Sequence, residues 1–240
     1  MEDNAKAYDQ LSKPQYESGC KFISEFINLS PGDKVLDMGC GTGQVTKYVA
    51  DIVGPDGQAV GVDPDAARIK IAEEKYKEVS HLQFHVGSSV TAFPHDNEPY
   101  YDVHLSTLAF HWLPNEEKSI YIQKAYDCLK PGGRLAIWCA GVQLDIKPKT
   151  QLPASFYPLT QDGYYKVFQD LGLFRNVVIN RVLYPFRFET LEEFKQWYKA
   201  TSHQDFEDLD PTLASKYVIH EDDGGVTWKM PRVAITASKN

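Results

Sequence analysis

The segment at residues 35–43 has the sequence Val-Leu-Asp-Met-Gly-Cys-Gly-Thr-Gly and is the strongest indication of the fold class. Three glycines at alternate positions follow an apolar pair, and apolar residues then recur at Val45, Tyr48, Val49 and Ile52 with the spacing of an amphipathic helix. This order predicts a buried strand, a tight turn and a helix, which is half of a βαβ unit. Glycines suit such a turn because they adopt left-handed backbone conformations readily and let a ligand approach the chain closely.

Apolar strand patterns alternate with helical patterns as far as residue 140. Strands are predicted at residues 59–62, 82–86, 101–108 and 135–140. Helices lie between them; one is capped by Asp65, and another begins near Asn115 and is stopped by the Lys-Pro-Gly-Gly turn at 130–133. Because parallel neighbours need crossover connections, this order predicts an α/β fold: a doubly wound, mostly parallel Rossmann-like sheet with helices on both faces.

Segments outside this alternation predict a helical and irregular cap. An apolar stripe at helical spacing makes residues 1–30 a helical lead-in, whereas residues 141–160 contain three prolines and show no periodicity. A helix is predicted at 161–171, strands at 176–188 and 226–237, and another helix after the capping box at 190–193.

The composition indicates a globular protein with a small-molecule partner. Hydrophobic residues make up 42% of the 240 residues and charged residues 24%, which is enough apolar material for a core. The 25 Lys and Arg against 33 Asp and Glu give a net charge of −8, which argues against nucleic acid or an acidic membrane surface as a partner. The sequence leaves the oligomeric state open.

The uncharged stretches and the cysteine spacing of the sequence allow predictions about location and metal binding. The longest uncharged stretch, residues 103–115, is shorter than the ~18 apolar residues of a membrane span. No secretory signal is visible at the start, so a cytoplasmic location is expected. Cys20, Cys40, Cys128 and Cys139 lack the spacing of metal ligands and are expected to be free thiols, with no metal site.

An acidic residue after the second predicted strand selects the kind of ligand. In a doubly wound sheet, ligands bind outside the carboxyl ends of the strands. Asp63 ends the second strand, twenty residues after Gly43, where its carboxylate can accept hydrogen bonds from two ribose hydroxyls. The glycine spacing GxGxG differs from the GxGxxG of dinucleotide sites, so the sequence favours a cofactor that contains a nucleoside but is not a dinucleotide.

Three motifs in order, residues 35–43, 61–63 and 129–135, resemble those of class I S-adenosylmethionine-dependent methyltransferases, a resemblance that covers about residues 30–140. It implies that Asp37 and the glycine loop hold the aminocarboxypropyl part of S-adenosylmethionine, while Asp63 binds the ribose. Ser88 and Ser89 stand where the family commonly has an acid facing the adenine, so a hydroxyl or a backbone N–H would make that contact, with Val90 on the ring. The expected cofactor residues are Asp37, Gly39, Cys40, Gly41, Thr42, Gly43, Asp63, Pro64, Ser88, Ser89 and Thr107.

A second resemblance concerns the methyl acceptor. Residues 8–16, 106–113 and 186–197 are similar to the branch of trans-aconitate and juvenile hormone acid methyltransferases, which esterify small carboxylates. The resemblance implies that Gln15 and Trp112 touch the acceptor. A carboxylate is already a nucleophile and needs only donors to orient it, whereas an amine must first lose a proton, for which His111 would be the base. The catalytic candidates are therefore His111, Trp112 and Gln15.

The sequence thus predicts transfer of the methyl group of S-adenosylmethionine to an oxygen or nitrogen of a small molecule, with a carboxylate slightly favoured and S-adenosylhomocysteine as product. The alternatives are an N-methyltransferase of a small amine, a nicotinamide-dependent oxidoreductase and a non-catalytic cofactor-binding subunit. One domain, 1–240, is expected, made of the lead-in (1–30), the cofactor-binding core (31–140), acceptor-side elements and cap (141–220) and the last strand (221–240).

Overall fold

The computed structural model describes residues 2–141, 156–202 and 204–240. The strands are β1 (Lys34–Met38), β2 (Gln58–Asp63), β3 (Leu82–Val86), β4 (Tyr101–Thr107), β5 (Leu129–Ala140), β6 (Arg175–Val182), β7 (Phe186–Phe188), β8 (Val218–His220), β9 (Val226–Trp228) and β10 (Arg232–Ser238). The α-helices are α1 (Glu2–Leu11), α2 (Lys13–Phe26), α3 (Gln44–Val53), α4 (Ala66–Tyr76), α5 (Asn115–Cys128), α6 (Gln161–Leu171), α7 (Leu191–Ser202) and α8 (Pro211–Tyr217).

The main sheet has seven strands in the order β3-β2-β1-β4-β5-β10-β6. Strands β1 to β5 run parallel, whereas β10 lies antiparallel between β5 and β6. Apolar side chains of α2, α3 and α4 pack on one face of the sheet, and those of α5 and α6 pack on the other. The predicted doubly wound, mostly parallel sheet with helices on both faces is confirmed.

A smaller antiparallel sheet, in the order β7-β9-β8, forms the cap together with α7 and α8. Phe186, Phe194, Trp197 and Trp228 are buried in its own hydrophobic cluster. Helix α7 begins after Thr190, whose Oγ1 accepts a hydrogen bond of 3.1 Å from the Glu193 N–H, as the capping box predicts. None of the helices within the described ranges is long and apolar enough to span a membrane.

Two of the predicted strands are in fact two strands each. The run 176–188 divides into β6 and β7, and the run 226–237 divides into β9 and β10, with the members of each pair in different sheets. Pro185 and Pro231 lie at the two divisions. Proline has no N–H to donate to a ladder, so the chain leaves one sheet there and enters the other.

The boundaries of β4 and β5 also differ from the prediction. Strand β5 begins at Leu129, so the Lys-Pro-Gly-Gly segment lies within the strand as an irregularity, with Gly132 at φ +77°. Strand β4 ends at Thr107 because Leu108 takes a left-handed conformation. The predicted irregular stretch at 141–160 falls largely at 142–155, outside the described residues.

Candidate functional site

A cavity of about 480 Å³ opens between the carboxyl ends of β1, β2 and β4 and the cap. Its size falls in the usual range for small-molecule sites. Asp63, Pro64, Ser88 and Ser89 line one end, which is called the nucleoside end below. His111, Trp112, Phe156, Trp197 and Arg232 line the other, which is called the acceptor end. The cavity is thus placed where ligands bind in doubly wound sheets.

The glycine loop needs glycine for its backbone and for close packing. Gly39, Gly41 and Gly43 have φ angles of +83°, +57° and +79°. A Cβ on Gly39 would lie 2.2 Å from that of Ala109, and one on Gly43 would lie 2.5 Å from the Phe84 ring. The alternating glycines therefore form the tight strand-to-helix turn that the sequence predicts.

Asp37 is a buried carboxylate beneath this loop. Its Oδ2 accepts a hydrogen bond of 2.7 Å from the Thr46 hydroxyl, and its Oδ1 has no hydrogen-bond partner among the described residues. Burial raises the Asp37 pKa to about 7. An ammonium group that reached Oδ1 would stabilise the charged form, as the resemblance implies for the aminocarboxypropyl part of S-adenosylmethionine, but Asp37 is fully buried and does not itself line the cavity.

Asp63 ties the glycine loop to the end of β2 and also lines the cavity. Its Oδ2 accepts from the Gly41 N–H and its Oδ1 from the Asp65 N–H, both at 2.9 Å. Each carboxylate oxygen can accept a second hydrogen bond, so ribose hydroxyls can still bind. Asp65 caps α4 by accepting from the Ala67 N–H at 2.9 Å, which leaves Asp63 available for a ligand.

The remaining predicted cofactor residues divide into two groups. Gly39, Pro64, Ser88, Ser89 and Thr107 line the cavity with Asp63, whereas Asp37, Cys40, Gly41, Thr42 and Gly43 do not. The buried Ser89 Oγ has no hydrogen-bond partner among the described residues, which fits a contact to a polar ligand. Val90 is half exposed and does not line the cavity.

Helix α1 explains why part of the glycine loop is covered. A Cβ on Gly41 would lie 3.0 Å from the Tyr8 ring, and the Arg68 guanidinium lies 4.1 Å from the centroid of that ring. Asp9 holds α1 in place through hydrogen bonds from Lys75 at 2.9 Å and from Gln44 at 3.1 Å. Tyr8 and Arg68 line the nucleoside end, and we did not predict either of them as a site residue.

At the acceptor end, His111 is buried and its hydrogen bond defines its tautomer. The Ala140 N–H donates to Nδ1 at 3.2 Å, so the ring proton of the neutral imidazole resides on Nε2. Burial, together with the positive charges of Arg232 and Lys118, holds the His111 pKa well below its ordinary value. His111 is therefore a neutral side chain with a donor at Nε2.

The orientation of Gln15 is set by a residue from the cap. The Trp197 Nε1–H donates to Gln15 Oε1 at 2.8 Å, and because an indole N–H can only donate, the amide Nε2 must point away from it. Trp112 packs against Phe156, with ring centroids 5.1 Å apart. Gln15, Trp112 and His111 all line the cavity, so the structure brings the three catalytic candidates together.

The backbone is strained where β4 meets the cavity. Leu108 has φ +56°, a conformation that a residue with a branched side chain rarely adopts, and its N–H donates to the Trp138 carbonyl at 2.6 Å. Such strain is commonly found at functional sites. The amino-acid pattern carries no signal for this feature, since the strand was expected to include Leu108.

Two further observations concern the acceptor end and metal binding. Arg232 lines the cavity and was missed, although a single arginine at the start of an apolar strand is a signal that the sequence contains. Within the described ranges, no group of three or more His, Cys, Asp or Glu side chains is placed to hold a metal ion. The four cysteines are free thiols.

Comparison with known proteins places the glycine loop, Asp63 and β4 in one matched segment. Residues 35–133 match a protein family described as "Methyltransferase domain". A demethylmenaquinone methyltransferase of Symbiobacterium thermophilum is 32% identical over 143 residues, which cover 55% of this chain and 53% of that protein. A ubiquinone/menaquinone biosynthesis C-methyltransferase of Pseudomonas savastanoi is 31% identical over 133 residues, covering 54% and 50%. The chain spans about half the length of the curated relatives it matches.

A solved structure shares the fold at lower identity. Phosphoethanolamine N-methyltransferase 2 of Haemonchus contortus, in complex with phosphomonomethylethanolamine and S-adenosylhomocysteine, has a TM-score of 0.69 at 15% identity. The match covers 100% of this chain and 58% of that one. Residues 35–133 are therefore similar to a methyltransferase domain, in agreement with the enzyme class that the sequence predicts, and the solved structure shares the fold.

Proposed function

We propose that the protein transfers the methyl group of S-adenosylmethionine to a small molecule bound at the acceptor end of the cavity. The observation that carries the proposal is the continuity of one cavity from Asp63, past the strained end of β4, to Gln15 and Trp112. S-adenosylmethionine supplies a methyl group on a positively charged sulfur, which leaves as S-adenosylhomocysteine. Such a transfer needs mainly orientation and exclusion of water.

Some residues of this chain would bind the cofactor, and others would orient the acceptor. Asp37 would pair with the cofactor's ammonium group, and Asp63 would accept hydrogen bonds from the ribose hydroxyls. Gln15 Nε2 and the Trp112 indole would donate hydrogen bonds to the acceptor. The aromatic residues of the cap would exclude water from the reacting atoms.

The geometry around His111 favours an acceptor that needs no base. Because Nδ1 already accepts from Ala140, the ring nitrogen left for a ligand is the donor Nε2, and a donor suits a carboxylate oxygen better than an ammonium group. We therefore infer an oxygen acceptor, preferably a carboxylate, in line with the resemblance to the acid methyltransferases. N-methylation with His111 as base is the less favoured alternative.

C-methylation is a second candidate, since a matched relative is named as a C-methyltransferase. It requires removal of a proton from the methylated carbon or from a hydroxyl conjugated to it, and hence a base. Because Nδ1 of His111 is occupied and Nε2 carries the proton, this residue does not supply that base in the observed arrangement. The geometry therefore ranks C-methylation below O-methylation.

Two measurements test the proposal. Titration calorimetry with S-adenosylhomocysteine and with NAD should give binding of the first only, and preferential NAD binding would instead support an oxidoreductase. Methyl-labelled S-adenosylmethionine incubated with a metabolite extract should then yield a labelled product that releases methanol in base, as an ester does. Binding without any transfer would contradict the proposal and indicate a non-catalytic subunit. A base-stable label would exclude a carboxylate ester and indicate methylation of a hydroxyl oxygen, a nitrogen or a carbon.

A further inference from the structure

Arg232 is a buried cation at the acceptor end of the cavity. It is the first residue of β10, pairs across the sheet with Ala140 and Val182, and is only 5% exposed. Its guanidinium lies 4.9 Å from the centroid of the Phe186 ring, so the cap covers it. Strand order thus carries this side chain to the carboxyl edge of the parallel strands, beside the space where the acceptor would bind.

The described residues satisfy the guanidinium of Arg232 poorly. Nη1 donates to the Met230 carbonyl at 3.4 Å, and Nε has no hydrogen-bond partner among the described residues. No carboxylate in the described part of the chain lies within 4.0 Å of it. Burial lowers the Arg232 pKa to about 10, so the side chain still carries its charge at neutral pH.

Acidic side chains elsewhere along the cavity have other partners or lie at its rim. Asp63 and Asp65 accept from backbone N–H groups at the nucleoside end, and Asp210 caps α8 by accepting from the Thr212 N–H at 2.8 Å. Asp208 is exposed. Lys118, whose charge lowers the His111 pKa along with that of Arg232, makes the acceptor end more positive still.

We propose that Arg232 binds an anionic group of the methyl acceptor, so that the enzyme selects acidic molecules carrying a carboxylate or a phosphate. A buried, unpaired charge is costly and is expected where a ligand supplies the partner. A planar guanidinium with free N–H groups matches either oxyanion. This inference rests on the proposed methyltransferase function and names the class of its acceptor.

The position of Arg232 separates this role from cofactor binding. Four strand spacings lie between β2, which carries Asp63, and β10, and at about 4.8 Å each they amount to roughly 19 Å. Substitutions at Arg232 should therefore leave the affinity for S-adenosylhomocysteine within twofold of the wild-type value. That affinity also tests the proposed function independently of the acceptor.

The first test uses labelled S-adenosylmethionine with a metabolite extract separated on an anion exchanger at pH 7. We expect acceptor activity in the retained, acidic fraction, and at least a tenfold lower kcat/KM for that fraction in Arg232→Gln, partly restored in Arg232→Lys. Arg181→Gln, at an exposed arginine of the neighbouring strand β6, is the matched control and should retain full activity. Phosphatase treatment of the fraction distinguishes the sources, since only a phosphate acceptor loses activity.

A second test does not depend on turnover. If Arg232 serves to bind the ligand and not to stabilise the fold, the Arg232→Met protein should have the same melting temperature as the wild type or a higher one. The reason is that the substitution removes a buried charge for which the described residues supply no partner. A melting temperature several degrees lower would show a structural role and overturn the proposal. So would acceptor activity confined to the unretained fraction, or full activity of Arg232→Gln. Failure of S-adenosylhomocysteine to bind the wild type would instead count against the proposed function.

Discussion

Among single residues, Asp37 makes stability depend on pH, and it is also proposed to bind the cofactor. Its carboxyl has a pKa of about 7 in the folded protein against 3.8 for the ordinary side chain, because burial disfavours the charge. Between these values the folded state binds more protons than the unfolded state. The contribution of Asp37 to stability therefore falls as the pH rises from about 4 to 7.

Asp37→Asn should remove this contribution to the pH dependence. At pH 8 we expect its free energy of unfolding without cofactor to exceed that of the wild type by about 1–3 kcal/mol, the cost of an incompletely satisfied buried group. Its affinity for S-adenosylhomocysteine should fall more than tenfold, because an amide does not neutralise an ammonium group. Urea denaturation between pH 4.5 and 8, with calorimetry for the ligand, measures both effects.

The exposed Asp51, which pairs with Lys47 on α3, provides the control for that experiment. Asp51→Asn should leave ligand affinity unchanged and stability within about 0.5 kcal/mol. An Asp37→Asn protein that binds S-adenosylhomocysteine as tightly as the wild type would contradict the assigned role of this carboxylate.

At the scale of elements, α1 closes the nucleoside end of the cavity, and two ion pairs join it to α4. Asp9 and Lys75 are partly buried and 2.9 Å apart, whereas Glu2 and Lys70 are exposed and 3.9 Å apart. A partly buried pair with good geometry holds a helix more firmly than an exposed one. The Asp9–Lys75 pair should therefore govern how readily α1 moves away.

We expect Asp9→Ala to speed dissociation of S-adenosylhomocysteine by about threefold to tenfold, the effect of roughly 1 kcal/mol in the barrier. Glu2→Ala, which removes the exposed pair between the same two helices, should change the rate less than twofold. Stopped-flow fluorescence with displacement of bound ligand measures the rate. Equal rates in the two variants would mean that α1 does not retain the ligand.

The elements differ in how far the sequence predicts them. Strands β1 to β3 and helix α6 follow from local apolar periodicity and glycine turns, and the structure places them close to the predicted residues. The sequence did not predict that the strands at 176–188 and 226–237 each divide, at Pro185 and Pro231, because the residues on both sides of each proline have strand-like composition. Only pairing with distant strands assigns the two parts to different sheets.

Site residues could be predicted from the sequence where they lie at the ends of strands, because the order of strands along the chain is visible in the sequence. The positions of Asp63, Ser89 and Thr107 follow from strand ends, which local patterns locate. Tyr8 reaches the cavity through the docking of α1, which no local pattern encodes. An arginine in an apolar strand marks Arg232 as unusual, but no local pattern shows that the insertion of β10 carries it to the cavity. The left-handed Leu108 depends on tertiary context in the same way.

At the scale of the whole molecule, a hydrogen bond from Trp197 joins the cap to the N-terminal helices. Trp197 of α7 donates to Gln15 of α2, 182 residues away. Trp197→Phe keeps most of the apolar surface but removes the N–H, so we expect a stability loss of about 1 kcal/mol. Gln15 would lose its fixed orientation, and the KM for the acceptor should rise several-fold at unchanged affinity for S-adenosylhomocysteine.

Steady-state kinetics on the acceptor fraction, with thermal denaturation, measures these effects. Phe194→Leu is the control, since it loosens packing within the cap from the same helix, does not line the cavity and leaves the link to Gln15 in place. A rise in acceptor KM of equal size in both variants would show that general loosening of the cap, rather than the orientation of Gln15, is responsible.

The antiparallel placement of β10 also sets an order of assembly. Among the described strands, β6 pairs only with β10, so it cannot join the sheet until residues 232–238 have been synthesised and have inserted against β5. Until then β5 is an unpaired edge strand, and such strands are prone to pair with other chains. The same insertion delivers Arg232 to the cavity, so a nascent chain can complete the nucleoside end of its cavity well before the side chain proposed to select the methyl acceptor is in place.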